Sequence, residues 1–411
     1  MKKIALILMA LLILVGCGSK DNTGSKDEPV KLTVWYHPYV GADKKEQLVA
    51  VFEGMATTFK KDYPDAEVVF EEIPWGNRET KITTALAGGK GPDIFYLIPD
   101  QLSQFANDGI IAPIDEVLPD TDLSDFTSTS LASVTYKDQL YGLPILRESQ
   151  TLFYNLDVLE AIGGDANDLP ETWEEFQVLA DKAKAAGYYA RTFDGANTLN
   201  ATLYPLIWQA GGDIVNDKDE ISINNDKSLK AFELVNKWYT EGYISPESIA
   251  ASDSVELFLE GKVLASWNTG AMFAKMKENN VRYAVGTPLK GEVEATYGTT
   301  GTFVVASTSK NKEAAASLLV AMTNTENARE FNKLTGYIPA RVSAQDIFSN
   351  DPEMAKMAEF VEIARPGVIH AKARIFMPDL TANLQAMLEG SQTPKETADK
   401  AAEIIKTHIG G

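Results

Sequence analysis

Short apolar strands alternate with amphipathic helices along this chain, and that alternation restricts its fold most. "KLTVWY" (Lys31 to Tyr36) has strand character, and the segment after it sets Leu48, Val51, Phe52, Met55 and Phe59 on one stripe at three-and-four spacing. "AEVVFEEI" follows as a strand, "RETKITTALAGG" as a helix closed by Gly88 and Gly89, and "PDIFYLI" as a strand again. Strand, helix, strand, helix, strand makes a parallel α/β layer. Further on, "PETWEEFQVLADKAKAAG" opens with a capping box, Thr172 with Glu175, and ends at Gly187. "VLASWN", "YAVGTP" and "GTFVVAS" are short strands, the last leading into the helix "NKEAAASLLVAM", and from Asp351 the chain is almost wholly helical. A chain of 411 residues is too long for one core, so two domains are expected. No long Pro/Gly linker divides it, which implies that the chain passes between domains several times.

The N-terminus follows another logic. Lys2 and Lys3 precede the unbroken apolar run Ile4 to Val15, and Gly16 then precedes Cys17, the only cysteine. This is the layout of a secretory signal. At about 1.5 Å per residue the run reaches about 18 Å, short of a hydrocarbon core of roughly 30 Å, so a permanent membrane helix is the weaker reading. Leu14-Val15-Gly16-Cys17 resembles the bacterial lipobox, in which the cysteine is acylated and becomes the mature N-terminus. Gly18 to Glu28 holds no apolar residue and reads as a flexible tether. We therefore expect a signal at 1–16, a tether at 17–29, and a protein held by acyl chains on the outer face of the cytoplasmic membrane.

A net charge of −20 repels nucleic acid and anionic lipid, and equally serves solubility. The three histidines (His37, His370, His408) lie far apart, so no zinc site of ordinary spacing forms locally. GxSxG, HExxH and GxxxxGK[ST] are absent. No cofactor is expected. With 58 carboxylates, an acid pair for glycoside hydrolysis stays open, since only separation in space would reveal it.

Ordered segments over nearly the whole mature chain resemble the extracellular solute-binding proteins of ABC importers, in the carbohydrate branch that includes maltose-binding proteins. They include "FKKDYPDAEVVFEEI", "GGKGPDIFYLIPDQLSQFANDGIIAPID", "GLPILRESQTLFYNLDVL", "LPETWEEF", "LIWQAGGD", "FLEGKVLASWNTG", "TGTFVVASTSKNKEAAASLLVAMT" and "GYIPAR". The resemblance implies an α/β, two-lobed clamp of the periplasmic-binding-protein kind, each lobe a mixed, mostly parallel sheet flanked by helices, closing by hinge motion. Crossings are expected near Pro144 to Glu148, near Tyr283 to Pro288, and after Tyr337. The N-terminal lobe would then hold 30–145 and 287–340, and the C-terminal lobe 146–286 and 341–411. A monomer is expected, with a small carbohydrate and membrane permease subunits as its partners and no nucleic acid.

A sugar site needs flat apolar faces for the C–H face of a pyranose, and carboxylates, amides or arginines for its hydroxyls. Tyr36 and His37 follow the first strand, Trp75 lies in a loop between Pro74 and Gly76, and Asp100 and Gln101 follow "PDIFYLI". Glu148 stands at the first crossing, Tyr204 and Trp208 lie in "LYPLIWQAGG", and Trp267 and Asn268 end a strand. The family places ligand-contacting polar residues where Asp100 and Glu148 stand. The candidate set also takes in Thr300, Gly301, Tyr337, Arg341 and Arg374. Packing competes for several of these. Trp208, beside Leu206 and Ile207, reads as core before stacking surface, Trp173 as structural, and Asp100 can also cap a helix.

Where maltose-binding relatives carry stacking tryptophans, this chain has Ala271-Met272-Phe273 and Phe376-Met377, so their glucan specificity does not transfer. Arg147, Arg341 and Arg374 keep a phosphorylated or other anionic solute open as a second reading. A surface glycoside hydrolase is the third. If Cys17 is acylated, Cys17→Ala releases the protein from membranes or leaves an uncleaved precursor, with solute affinity unchanged; fractionation with N-terminal mass analysis checks this, and full membrane retention after normal processing contradicts it.

Overall fold

The protein is described here by a computed structural model covering residues 29–410 apart from 217 and 252; the expected leader, Cys17 and all of the tether but Pro29 lie outside the described residues. In chain order the strands are β1 (Lys31–Tyr36), β2 (Glu67–Glu72), β3 (Ile94–Leu97), β4 (Thr135–Tyr136), β5 (Gln139–Leu140), β6 (Gly142–Arg147), β7 (Gln150–Asn155), β8 (Tyr189–Arg191), β9 (Val263–Thr269), β10 (Tyr283–Val285), β11 (Thr296–Tyr297), β12 (Thr300–Val305), β13 (Ile338–Pro339) and β14 (Ala364–Arg365). Two principal sheets result. One has the order β13-β6-β12-β3-β1-β2 and the other β10-β7-β9-β8, while β11 pairs with β14 in a small ribbon.

Each sheet sits in its own core. Leu48, Phe52, Met55 and Phe59 of the helix Lys45–Phe59 pack on Val34, Phe95 and Phe303 in the first. In the second, the helix Trp173–Ala185 begins at the expected capping box, with Thr172 Oγ1 accepting from the Glu175 N–H at 3.2 Å and Glu175 Oε2 from the Thr172 N–H at 3.1 Å. It buries Phe176 and Ala180 against Leu152 and Tyr154 of β7. A third cluster backs the second sheet, where Met354, Met357 and Phe360 of the helix Pro352–Phe360 meet Phe153, Phe258 and Phe273. No described helix is long and apolar enough to cross a membrane.

The chain passes between lobes at Glu148–Ser149, joining β6 of one sheet to β7 of the other. The return does not fall at Tyr283–Pro288. β10 pairs antiparallel with β7, Leu289 and Ala295 lie in the second core, and the chain re-enters the first sheet only at Thr300. The third passage follows β13 and Arg341, which stays on the first lobe. The sheets are mixed but not mostly parallel: only β1–β2, β1–β3 and β8–β9 are parallel ladders within them. The crossings explain this. β3 runs toward the lobe boundary and β12 comes back from it, so they meet antiparallel, with Phe303 opposite Tyr96.

At the boundary β12 carries a register shift between Gly301 and Thr302. A Cβ on Gly301 would stand 2.3 Å from Tyr96 Oη and 2.7 Å from Leu146 Cγ. Gly301→Ala is therefore expected to cost about 1–3 kcal/mol by overpacking, read as a lower urea midpoint at unchanged m-value. An unaltered midpoint would contradict this packing.

Candidate functional site

β1 and β3 are parallel neighbours, so the residues after their C-terminal ends emerge on one edge of the first sheet. His37, directly after β1, is buried and stacks on Trp75 at 4.1 Å, with Tyr96 edge-on at 5.5 Å. Its Nδ1–H donates to the Ile73 carbonyl at 2.9 Å. Burial, with the nearby Arg78 cation acting the same way, pushes its pKa down to about 4, so the imidazole is neutral at pH 7. Trp75 donates its Nε1–H to the Pro38 carbonyl at 3.2 Å yet remains 37% exposed, the largest aromatic surface on this edge. Arg78 lies 5.1 Å from the Trp75 ring and donates to Gln101 Oε1 at 3.0 Å.

Asp100 sits in the first turn of the helix Pro99–Asn107, where Pro99 presets the entry and the macrodipole favours a carboxylate. It is fully buried. Its Oδ1 accepts from the Gln101 N–H at 2.9 Å, while Oδ2 accepts from Asn200 Nδ2 at 2.9 Å and lies 2.9 Å from Arg374 Nε. Both partners belong to the other lobe: Asn200 lies in the turn Leu199–Ala201 and Arg374 in the first turn of the helix Ala373–Leu388. Gly367, at φ +99°, brings its loop against Asn200; a Cβ there would stand 2.6 Å from Asn200 Oδ1. Tyr204 is fully buried, its pKa pushed up by burial and by the charge of Asp100, and its hydroxyl has no hydrogen-bond partner among the described residues.

Glu148 occupies the first crossing, its N–H donating to the Thr299 carbonyl at 3.0 Å. Burial pushes its carboxyl up to about 7, against the pull of Arg78. Its charge is felt by the hydroxyls of Tyr96, Tyr297 and Tyr337, all raised chiefly by burial. A small pocket here is lined by Glu148, Gly270, Tyr337 and Met354. Asp100, Gln101, His37, Trp75, Glu148, Tyr204, Tyr337 and Arg374 thus gather around the lobe boundary.

Other candidates stand elsewhere. Tyr36 packs on Phe52 at 4.4 Å inside the first core, and Trp208 lies in the second. Arg341 is buried against Phe126 and pairs with Asp125 at 3.2 Å, anchoring the third passage. Thr300 is buried in its ladder opposite Arg147, and Gly301 serves the close approach of Tyr96. Trp267 packs on the second core, with the Arg191 guanidinium between its ring (5.5 Å) and that of Trp238 (4.9 Å). Asn268 donates to Ser266 Oγ at 3.0 Å. Arg147 is buried and pairs with Glu362 at 3.4 Å. Sequence reasoning missed Arg78 and Asn200. Arg78 carried one usable signal, a cation in the first turn of a helix, where the macrodipole disfavours it; Asn200 carried none.

The Asp100–Arg374 pair joins the lobes, so removing one partner strands a buried charge. Asp100 can regain water if the lobes part, and the loss should then appear as opening before unfolding. Arg374→Gln is expected to raise the radius of gyration of the protein in small-angle scattering while shifting the melting temperature little. An unchanged radius would rule out a lobe-bridging role.

Comparison with known proteins fits this architecture. A profile described as bacterial extracellular solute-binding protein matches residues 54–358. A galactooligosaccharide-binding protein of Bacillus subtilis is 27% identical, over 97% of this chain and 94% of its own. A maltodextrin-binding protein of the same organism is 24% identical, over 100% and 98%. An ABC substrate-binding protein from Listeria monocytogenes, solved in complex with cycloalternan, superposes with a TM-score of 0.81 at 20% identity, covering 93% of this chain and 100% of that one, and so shares the fold. With the profile spanning most of its length, this chain belongs to the bacterial extracellular solute-binding protein family.

Proposed function

We propose that this protein captures a carbohydrate between its lobes and delivers it to the permease of an ABC importer, binding without turnover and held at the outer membrane face through an acylated Cys17. The observation that carries the reading is the placing of Glu148 with the exposed face of Trp75 and the Arg78 cation at one lobe boundary, where Asp100 joins the two lobes. Carboxylates accept from sugar hydroxyls in charge-assisted hydrogen bonds worth roughly 1.5–3 kcal/mol each, and an indole face accepts the C–H side of a pyranose. Relatives named for galactooligosaccharides and maltodextrins support a sugar. The arginines that kept an anionic solute open, Arg147, Arg341 and Arg374, each face a carboxylate of the protein itself.

Glu148 offers the sharpest test. Its pKa is raised from 4.5 to about 7, so the folded state keeps a proton that the unfolded state gives up. Its contribution therefore lowers stability as pH rises from about 4.5 to about 7 and stays level above. Glu148→Gln removes that penalty. At pH 8 the variant should melt no lower than the wild type, with a gain on the order of 1 kcal/mol after allowance for partial exposure. In calorimetry over a panel of oligosaccharides it should bind about tenfold more weakly. A variant that melts lower but binds as tightly would make Glu148 structural and displace the site from this crossing.

A further inference from the structure

Arg78 departs from the pattern set by the other arginines at the lobe boundary. Arg374 and Arg147 each sit within ion-pair distance of a carboxylate, whereas Arg78 has no such partner among the described residues and spends one N–H on the neutral Gln101 amide. Its position is also unfavourable locally. Arg78 opens the helix Arg78–Ala87, where a positive side chain opposes the macrodipole. The turn before it is made by Asn77 in the left-handed region at φ 56°, a conformation that few residues other than glycine and asparagine take readily. A cation placed against its own helix, on a turn that must be specially built, and with no ion-pair partner among the described residues is a local rule broken without structural return.

What the position does provide is rigidity. The guanidinium stacks on Trp75, which stacks on His37, while Gln101 holds one edge of the fork. Arg78 is only partly buried. The remaining N–H donors therefore have a fixed plane and access to solvent. We propose that Arg78 is the solute-reading cation of this cleft, donating to neighbouring hydroxyls of a neutral sugar that also donates to Glu148, so that the Arg78–Glu148 pair selects neutral over acidic saccharides.

Charge balance supports the neutral choice. Asp100 is matched by Arg374, His37 is uncharged at pH 7, and Glu148 is the carboxyl of this crossing that the Arg78 charge pulls down. The other groups that sense Glu148 are the neutral hydroxyls of Tyr96, Tyr297 and Tyr337, and its chain neighbour Arg147 is matched by Glu362. Above pH about 7, where Glu148 is ionised, an acidic sugar would bring a second negative charge beside it. A neutral one brings none.

The inference rests on the carbohydrate reading, and the test separates the two. Arg78→Met and Arg78→Lys are compared with the wild type by calorimetry against maltotriose, a galactotriose and trigalacturonate, and by carbon-13 NMR titration of the Glu148 carboxyl in the protein alone. Arg78→Met should weaken binding of the preferred neutral sugar at least about tenfold and move the Glu148 pKa above its wild-type value of about 7. Arg78→Lys should restore the titration but not the affinity, because an ammonium lacks the planar fork. A Met variant that binds like the wild type, a Glu148 titration unmoved by Arg78→Met, or a wild type that prefers trigalacturonate overturns the inference. A wild type that binds none of the three sugars counts against the carbohydrate reading, and the titration then decides alone whether Arg78 and Glu148 act as a pair.

Discussion

Two strands crossing the lobe boundary side by side govern the rest of this structure. Glu148 donates its N–H to the Thr299 carbonyl, Ser149 Oγ donates to the Met357 carbonyl at 2.8 Å, and Thr296 Oγ1 to that of Gln150 at 2.6 Å. At Gly298 a Cβ would come within 2.2 Å of the Glu148 carbonyl oxygen, so the backbones touch with no room for a side chain. This contact sets where each sheet ends and puts Glu148 between the lobes. It also dictates strand direction, since a chain that leaves a sheet at its edge and returns through the same gap must come back antiparallel.

Much of the fold was legible because it is periodic. The Lys45–Phe59 stripe, the Thr172–Glu175 box and the β1 to β3 alternation are local signals. The second crossing was misplaced because "YAVGTP" ends a real strand, and nothing local says that the chain then runs on through Leu289 and Ala295 in the second core before leaving it. The return strand's direction is likewise invisible in its own residues. Distant pairings decide both.

A place at the lobe boundary was legible where a residue lies just beyond a strand end, as His37 does directly after β1 and Asp100 three residues after β3. Tyr36 and Arg341 instead answer to hidden partners, Phe52 and Asp125, while Trp208 lies in the second core, as its neighbours Leu206 and Ile207 suggest. Burial decides whether such groups face a solute or the protein, and burial is a property of the assembled lobes. The matched pairs also dispose of the positive charge that the sequence placed near the boundary, whereas Arg78 has no ion-pair partner among the described residues.

The sheet order has a kinetic consequence. In β13-β6-β12-β3-β1-β2 the strand Thr300–Val305 lies between β6 and β3, which do not pair with each other. A ribosome must therefore make most of the chain before the first lobe can join its own two halves. Contacts of such long sequence separation slow folding, because loop closure must precede any reward from pairing. Late completion of the N-terminal sheet keeps the nascent polypeptide pliable until Thr300–Val305 has been made, a delay written into strand order.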